Sequence, residues 1–349
     1  MVSGLFAGGN ASPALRRPLF EISLGGSVDE WAQSLVSLTV EAGLAPFADA
    51  VTLNLADLAS APEVTVEDSG AVELGYEEHT TQAVFTGRVE ELRSSVRGKT
   101  WVTAVNGGAL LSRTRVNQSY EQQRAGDIVR DLAGRAGVDT ETVEDGADFP
   151  FYVVDDRSNA YQYVAALARK SGYLAYFTTE GRLDFAPFIA GHAVQTFTYG
   201  EDVLALHVAE ATSTVGVVTT VGEGAAGSQG QEAWSWLVKD PSSVRGSAGS
   251  GDPERLVRDA SLRSAEAAQG AADGIAGAAD KMKLAGELLV PGAPAVVVGS
   301  AVEVVDAPRD TLNGLFLVRR VRHRFSKRGG FTTLIGFSGT GDGGLGGLL

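Results

Sequence analysis

Cysteine is absent from the 349 residues, which excludes disulfides, thiolate nucleophiles and cysteine-bound metals and leaves stability to packing. Histidine is nearly as scarce. His79, His192, His207 and His323 stand far apart, with no His-x-x-x-His or Glu-flanked pair of the kind zinc sites use, so structural roles are expected for all four. No apolar run reaches the ~18 residues that crossing a bilayer takes. Residues 1–20 lack the basic segment and apolar stretch of a secretory signal, so neither membrane insertion nor Sec-type export is expected. Positive charge is in the minority, 29 Lys and Arg against 43 Asp and Glu for a formal net charge of −14. That balance disfavours specific nucleic-acid binding, because a phosphate-binding surface normally makes its domain basic. No Gly-x-Ser-x-Gly elbow supports a serine hydrolase.

What is present reads as an ordinary globular chain. Hydrophobic residues make up 44% and charged residues 21%, and the length predicts two or three domains, each able to bury a core. The 44 glycines suit an all-β chain with many turns, and a GC-rich coding sequence would bias composition the same way.

Short strands broken by turns begin at Pro18: 19–24, 35–41, 50–55, 71–76, 83–94 and 100–106. Leu38 and Val40 alternate with Thr39 and Glu41, the period of a half-buried strand. The pattern then changes. Residues 124–137 place Ile128, Val129, Leu132 and Ala136 on one helical face, with Gly137 just past the last turn. A strand at 151–154, capping residues at 155–158, a helix at 160–170 and a hairpin across 173–187 complete a small α+β unit. Strands return at 195–199, 203–211 and 215–221. Residues 253–284 are helical by composition, with an Ala- and Gly-rich face that either receives another backbone closely or lies on the surface. Strands resume at 295–298, 301–305, 315–325 and 331–338.

The expected organisation is a first β-barrel module at 17–111 and an α+β insertion at 112–194. A second β-barrel module is split between 195–222 and 287–338 around a loop and helical excursion at 223–286, and a flexible Gly-rich tail covers 339–349. The fold class is mainly β with α+β insertions.

Four stretches carry a resemblance. They are Val84-Phe85-Thr86-Gly87-Arg88-Val89; Ser119-Tyr120 through Gly126-Asp127-Ile128-Val129 to Ala136-Gly137-Val138; residues 156–185, with their Gly172-Tyr173 strand and Gly181-Arg182-Leu183-Asp184-Phe185 hairpin; and residues 314–318 with His323 and Gly330-Phe331-Thr332-Thr333. In order and spacing, over 17–337, the chain resembles the phage late-control protein D family, which includes contractile-tail baseplate hubs and the hub portion of type VI secretion spikes. Each motif alone is only a packing or turn pattern. The resemblance implies two barrels like tail-tube subunits and a homotrimer whose ring joins a hexameric inner tube to a trimeric spike. The spike, inner tube or tube-initiator protein and other baseplate proteins are then the partners. Fused spike versions continue into a further β domain, whereas this sequence stops at Leu349, so a separate spike protein is implied. The product would assemble in the bacterial cytoplasm and act in a phage-tail-like particle, whether released or membrane-associated.

Candidate chemistry is sparse. Residues 222–227 match G-x-G-x-x-G and follow a strand, but no apolar-periodic helix opens after them, so a loop is expected. Asp155 and Asp156 precede a helix and read as capping residues more than as a catalytic pair. Arg320, Arg322 and Arg324 alternate along one strand and share a face, opposite Arg319, Val321, His323 and Phe325. With Lys327 and Arg328 they are the strongest local positive charge, either a solvated face or a contact for an acidic partner. Trp234 and Trp236, in Gly- and Ser-rich surroundings, are either interface anchors or buried in their own module. A structural assembly protein is expected, with no enzyme activity, cofactor or metal. The rival readings are a tail-tip receptor- or carbohydrate-binding protein and a tail-associated cell-wall hydrolase.

Overall fold

Period-two alternation builds the first half of the molecule. The computed structural model describes residues 17–341 apart from 26–27, 57–61, 79, 97–98, 192–193 and 223–243. Pro18–Ile22 forms β1, Val28–Ser34 a short helix α1, and Leu35–Gly43, Ala50–Leu55, Ser69–Tyr76, Gln82–Ser95 and Lys99–Val105 form β2 to β6. The strands pair antiparallel in the order β1-β4-β5-β6-β3-β2. Leu38 and Val40 of β2 are buried while Thr39 and Glu41 stay partly exposed, so one face of the sheet meets a core and the other meets solvent. That core holds Ile22, Leu53, Val72 and Val102, with Trp31 of α1 fully buried among them. The Trp31 indole N–H donates to the Gly25 carbonyl at 3.0 Å, which satisfies its one polar atom.

The middle of the chain forms a helical body. Gly107–Arg113 is α2, Gln118–Arg124 β7, Ala125–Ala136 α3, Thr140–Val143 β8, Asp148–Val154 β9, Ala160–Ser171 α4, Leu174–Phe177 β10 and Leu183–Ala186 β11. Ile128, Val129 and Leu132 of α3 and Tyr161, Val164 and Leu167 of α4 are buried together, the spacing read from the sequence. Gly137 ends α3 at φ +68°, a left-handed conformation that glycine adopts without steric cost. The capping expectation for α4 needs correcting. Its N-cap is Asn159, whose side chain accepts from the Gln162 N–H while the Gln162 side chain reciprocates. Asp155 instead accepts from the Tyr163 hydroxyl at 2.7 Å and pairs with Arg157.

The remainder comprises Val194–Thr198 (β12), Ala205–Glu210 (β13), Val217–Gly222 (β14), Arg245–Gly249 (β15), Glu254–Asp259 (β16), Ala265–Lys281 (α5), Leu284–Pro291 (β17), Ala301–Val305 (β18), Gly314–Ser326 (β19) and Gly330–Gly339 (β20). Strands β12, β18, β19, β20, β17 and β13 are neighbours in that order and cover a core of Leu288, Val302, Phe316, Val318 and Ile335. This half is continuous with the first through β19. Its residues 314–317 pair with β18, and residues 320–326 pair with β2. The tip of the β19–β20 hairpin carries Phe325 and Phe331 into the first core, where Phe20 and Tyr76 stack against them at 4.9 and 5.8 Å.

Three expectations about elements differ from what the structure places. The strand expected at 215–221 leaves the second half, because β14 pairs with β15 and β16 in a separate three-stranded sheet. The stretch 253–284 is not helical throughout. It opens as β16, where pairing with β14 overrides local composition, and turns helical only at Ala265. Residues 295–298 are not a strand; a turn closes there, with Val297 O accepting from the Ser300 hydroxyl at 2.6 Å, although Val296 and Val298 are buried.

The small-residue face of α5 does receive another backbone. Ala267, Ala268, Ala271 and Ala272 are buried, and Gly274 lies so near α4 that a Cβ there would sit 2.3 Å from the Arg169 carbonyl oxygen. Lys170 of α4 completes the docking. Its ammonium meets Asp259 at 2.7 Å and the Ser261 hydroxyl at 2.8 Å, and sits 4.8 Å from the Tyr152 ring centroid. The expectation of a mainly β fold with α+β insertions is borne out.

Candidate functional site

The arginine stripe occupies the segment where the two halves join. In β19, Val321, His323 and Phe325 are buried while Arg320 and Arg324 are exposed and Arg322 is partly so. Alternation places the guanidinium groups on the solvent side of the sheet. β2 supplies a counter-charge: Arg322 is directly opposite Glu41 in the register and its Nε donates to that carboxylate. Arg320 reaches the same carboxylate at 3.5 Å and lies 4.9 Å from the Phe47 ring centroid. Cross-strand pairs of this kind contribute roughly 0.2–1 kcal/mol each. Arg324 has no ion pair among the described residues and faces Thr39 and Thr332 across its two neighbouring strands.

The stripe therefore divides into two tethered arginines and one free one. Lys327 is also committed, donating to the Ala32 and Gln33 carbonyls at 2.9 and 3.2 Å at the end of α1, where a cation complements the helix dipole. Arg328 is exposed. Trp234 and Trp236 lie outside the described residues, as do residues 223–227 of the G-x-G-x-x-G match.

Beneath the stripe the residues are apolar or neutral. The His323 ring is fully enclosed, and burial pushes its pKa down to about 3. Its Nδ1 is hydrogen-bonded to the Thr333 hydroxyl at 2.9 Å, and that hydroxyl oxygen also accepts from the Ala293 N–H at 2.9 Å. The ring is neutral, a structural histidine as the sequence suggested. His79 and His192 lie outside the described residues, and His207 is exposed on β13.

His323 lines one side of a small, partly open cavity of about 20 Å³, room for about one water. Asp49 lines it too, together with Asn106, Phe177, Val298 and Val321, so the cavity lies where both sheet halves meet the helical body. The Asp49 carboxylate accepts from the Gly43 N–H and the Asn106 amide, both at 2.9 Å. Burial outweighs these bonds and pushes the carboxyl up to about 8. Sequence reasoning missed Asp49; its only local signal is an acidic residue between Ala48 and a strand. Among the described residues no group of three or more His, Asp or Glu could hold a metal ion, and no helix is long and apolar enough to cross a membrane.

No protein-family model matches the sequence, and neither does any curated protein. The fold has clear counterparts among solved structures. The 43 kDa tail protein of prophage MuSo2 from Shewanella oneidensis superposes with a TM-score of 0.66 at 14% identity, over 92% of this chain and 97% of that one. A tail protein from Neisseria meningitidis gives 0.62 at 14% identity, over 93% and 96%. A component of the E. coli type VI secretion system, itself similar in structure to the bacteriophage T4 tail proteins gp27 and gp5, gives 0.57 at 13% identity, over 91% and 76%. At these identities the likeness establishes a shared fold.

Proposed function

We propose that this chain is the baseplate hub of a contractile, phage-tail-like injection machine, a homotrimer that joins a hexameric inner tube to a trimeric spike. The observation that carries this reading is the extent of the likeness: the fold of a phage tail protein is followed over 92% of this chain and 97% of that one. The two halves of the large sheet supply the physical logic. Each has its own core, and they belong to one chain, so three copies arranged about a threefold axis offer six sheet-bearing units to a sixfold tube. The division into first module, α+β insertion, split second module and excursion belongs to the same proposal. In it β12, β13 and β17 to β20 carry the second module, and the sheet of β14 to β16 belongs to the excursion.

Arg324 is the contact proposed for an acidic surface on a tube or baseplate partner, since Arg320 and Arg322 are already held by Glu41. Function then consists of contacts and involves no turnover. Assembly takes place in the bacterial cytoplasm, with spike, tube-initiator and other baseplate proteins as partners.

Absolute mass by light scattering tests the reading, measured for the purified chain alone and mixed with candidate spike and tube proteins. A trimer, or a complex of three chains with three spike subunits, is expected. A monomer that ignores both spike and tube proteins overturns the hub.

A further inference from the structure

The solvent face that carries the arginines continues across the first half of the sheet, and its far side has a different character. The register sets Asn54, Trp101 and Arg93 side by side on β3, β6 and β5, and sets Thr52, Thr103 and Glu91 in the next row. Three strand spacings, roughly 14 Å, separate Trp101 from β19. Around Trp101 the surface sinks into a depression of about 180 Å³ lined by Thr52, Glu91, Arg93, Trp101 and Thr103.

Trp101 does not serve the core. Its strand neighbours Thr100 and Val102 point inward and are buried, whereas the indole ring is partly exposed on the opposite face. Elsewhere that face is built of small hydroxyl and charged side chains: Ser37, Thr39 and Thr52 lie in line with it. Among the described residues the indole N–H and the Thr52 and Thr103 hydroxyls have no protein partner. Arg93 and Glu91 pair with each other at 2.8 Å, with both side chains more than half exposed.

We propose that this depression binds a pyranose unit of a neutral saccharide. An aromatic ring lying on a polar surface offers a flat apolar platform, matched by the C–H face of a sugar ring. Sugar hydroxyls require donors and acceptors together. Arg93 and the indole N–H donate, Glu91 accepts, and the two threonines do either. The ligand class follows from charge: Arg93 and Glu91 cancel, so an anion meets Glu91 and a cation meets Arg93, while a neutral polyol uses both. An apolar peptide side chain would leave these groups without partners on binding. The site is shallow, so the expected affinity is millimolar. It stands independently of the hub reading, because it involves a different part of the face.

The test is a titration of the isotope-labelled full chain, followed at the Trp101 indole N–H resonance, which is assigned by its loss in Trp101→Phe. The probes are glucose, galactose, N-acetylglucosamine and its soluble oligomers, with glucuronic acid and glucosamine as charged controls. A saturable shift in the millimolar range with a neutral sugar is expected. It should be weakened about tenfold in Arg93→Ala and Glu91→Gln and abolished in Trp101→Ala, where the backbone amides of Thr52 and Thr103 are followed instead, each variant checked for an unchanged melting temperature. The proposal is overturned if no neutral sugar moves the resonance, if binding survives in Trp101→Ala, or if a charged control binds more tightly than every neutral sugar. Should Trp101→Ala prove unstable, the Arg93 and Glu91 variants alone decide.

Discussion

Asp49 and His323 face the same small cavity and carry opposite pH dependences. The folded-state pKa of Asp49 is raised from 3.8 to about 8, so between those values the folded chain holds a proton that the unfolded chain has lost, and stability falls as pH rises. The pKa of His323 is lowered from 6.5 to about 3. There the unfolded chain binds the extra proton, and stability falls as pH drops from 6.5 toward 3. The two slopes oppose each other between about pH 4 and 6.5 and cancel in part, leaving Asp49 alone above 6.5. A full single-proton slope is about 1.4 kcal/mol per pH unit. The wild type should therefore lose up to about 2 kcal/mol from pH 6.5 to 8, and Asp49→Asn should be nearly flat over that interval. Urea unfolding at several pH values measures it; equal slopes in the two proteins would show that Asp49 is already ionised in the fold. None of this was legible beforehand, because the burial of Asp49 is produced by Gly43, Asn106 and the cavity walls. The arginine alternation was legible, and the Glu41 partner was not: Arg322 and Glu41 are 281 positions apart.

Elements governed by local periodicity were readable. β2 shows its buried and exposed sides in four residues, and α3 and α4 show their apolar faces in a dozen. Elements governed by remote pairing were not. β16 opens a stretch rich in Ala and charged residues that favours a helix by composition, and only its parallel pairing with β14 makes it a strand. The docking of α5 on α4 makes a specific demand on Gly274. Alanine there drives its methyl into the Arg169 carbonyl, and although alanine is the better helix former by about 1 kcal/mol, overpacking costs about 1–3 kcal/mol. Gly274→Ala should lower the melting temperature and speed amide exchange in β14 to β16 and α5 ahead of the rest. Gly277→Ala, on the same helix with open space around it, should instead be neutral or stabilising. Calorimetry with hydrogen exchange separates the two, and similar behaviour of both variants would refute the close helix contact.

On the scale of the whole molecule, the stripe's internal division predicts different outcomes for reversals of neighbouring arginines. Arg322→Glu sets a carboxylate against Glu41 and should destabilise the monomer by about 1 kcal/mol through like-charge repulsion across the strands. Arg324→Glu breaks no ion pair among the described residues and should stay within about 0.5 kcal/mol of the wild type, yet, under the proposed hub function, weaken association with the acidic partner, most visibly at low salt. Melting curves and light scattering of the mixture, taken together, check both; normal association by a stable Arg324→Glu removes that residue from the interface. The hairpin that joins the halves also governs the order of events during synthesis. Strands β1 to β6 are complete by Val105, but Phe325 and Phe331, which belong to their core, emerge from the ribosome more than two hundred residues later. Until then the nascent chain presents an unclosed apolar surface, so the earliest-made half is among the last to finish.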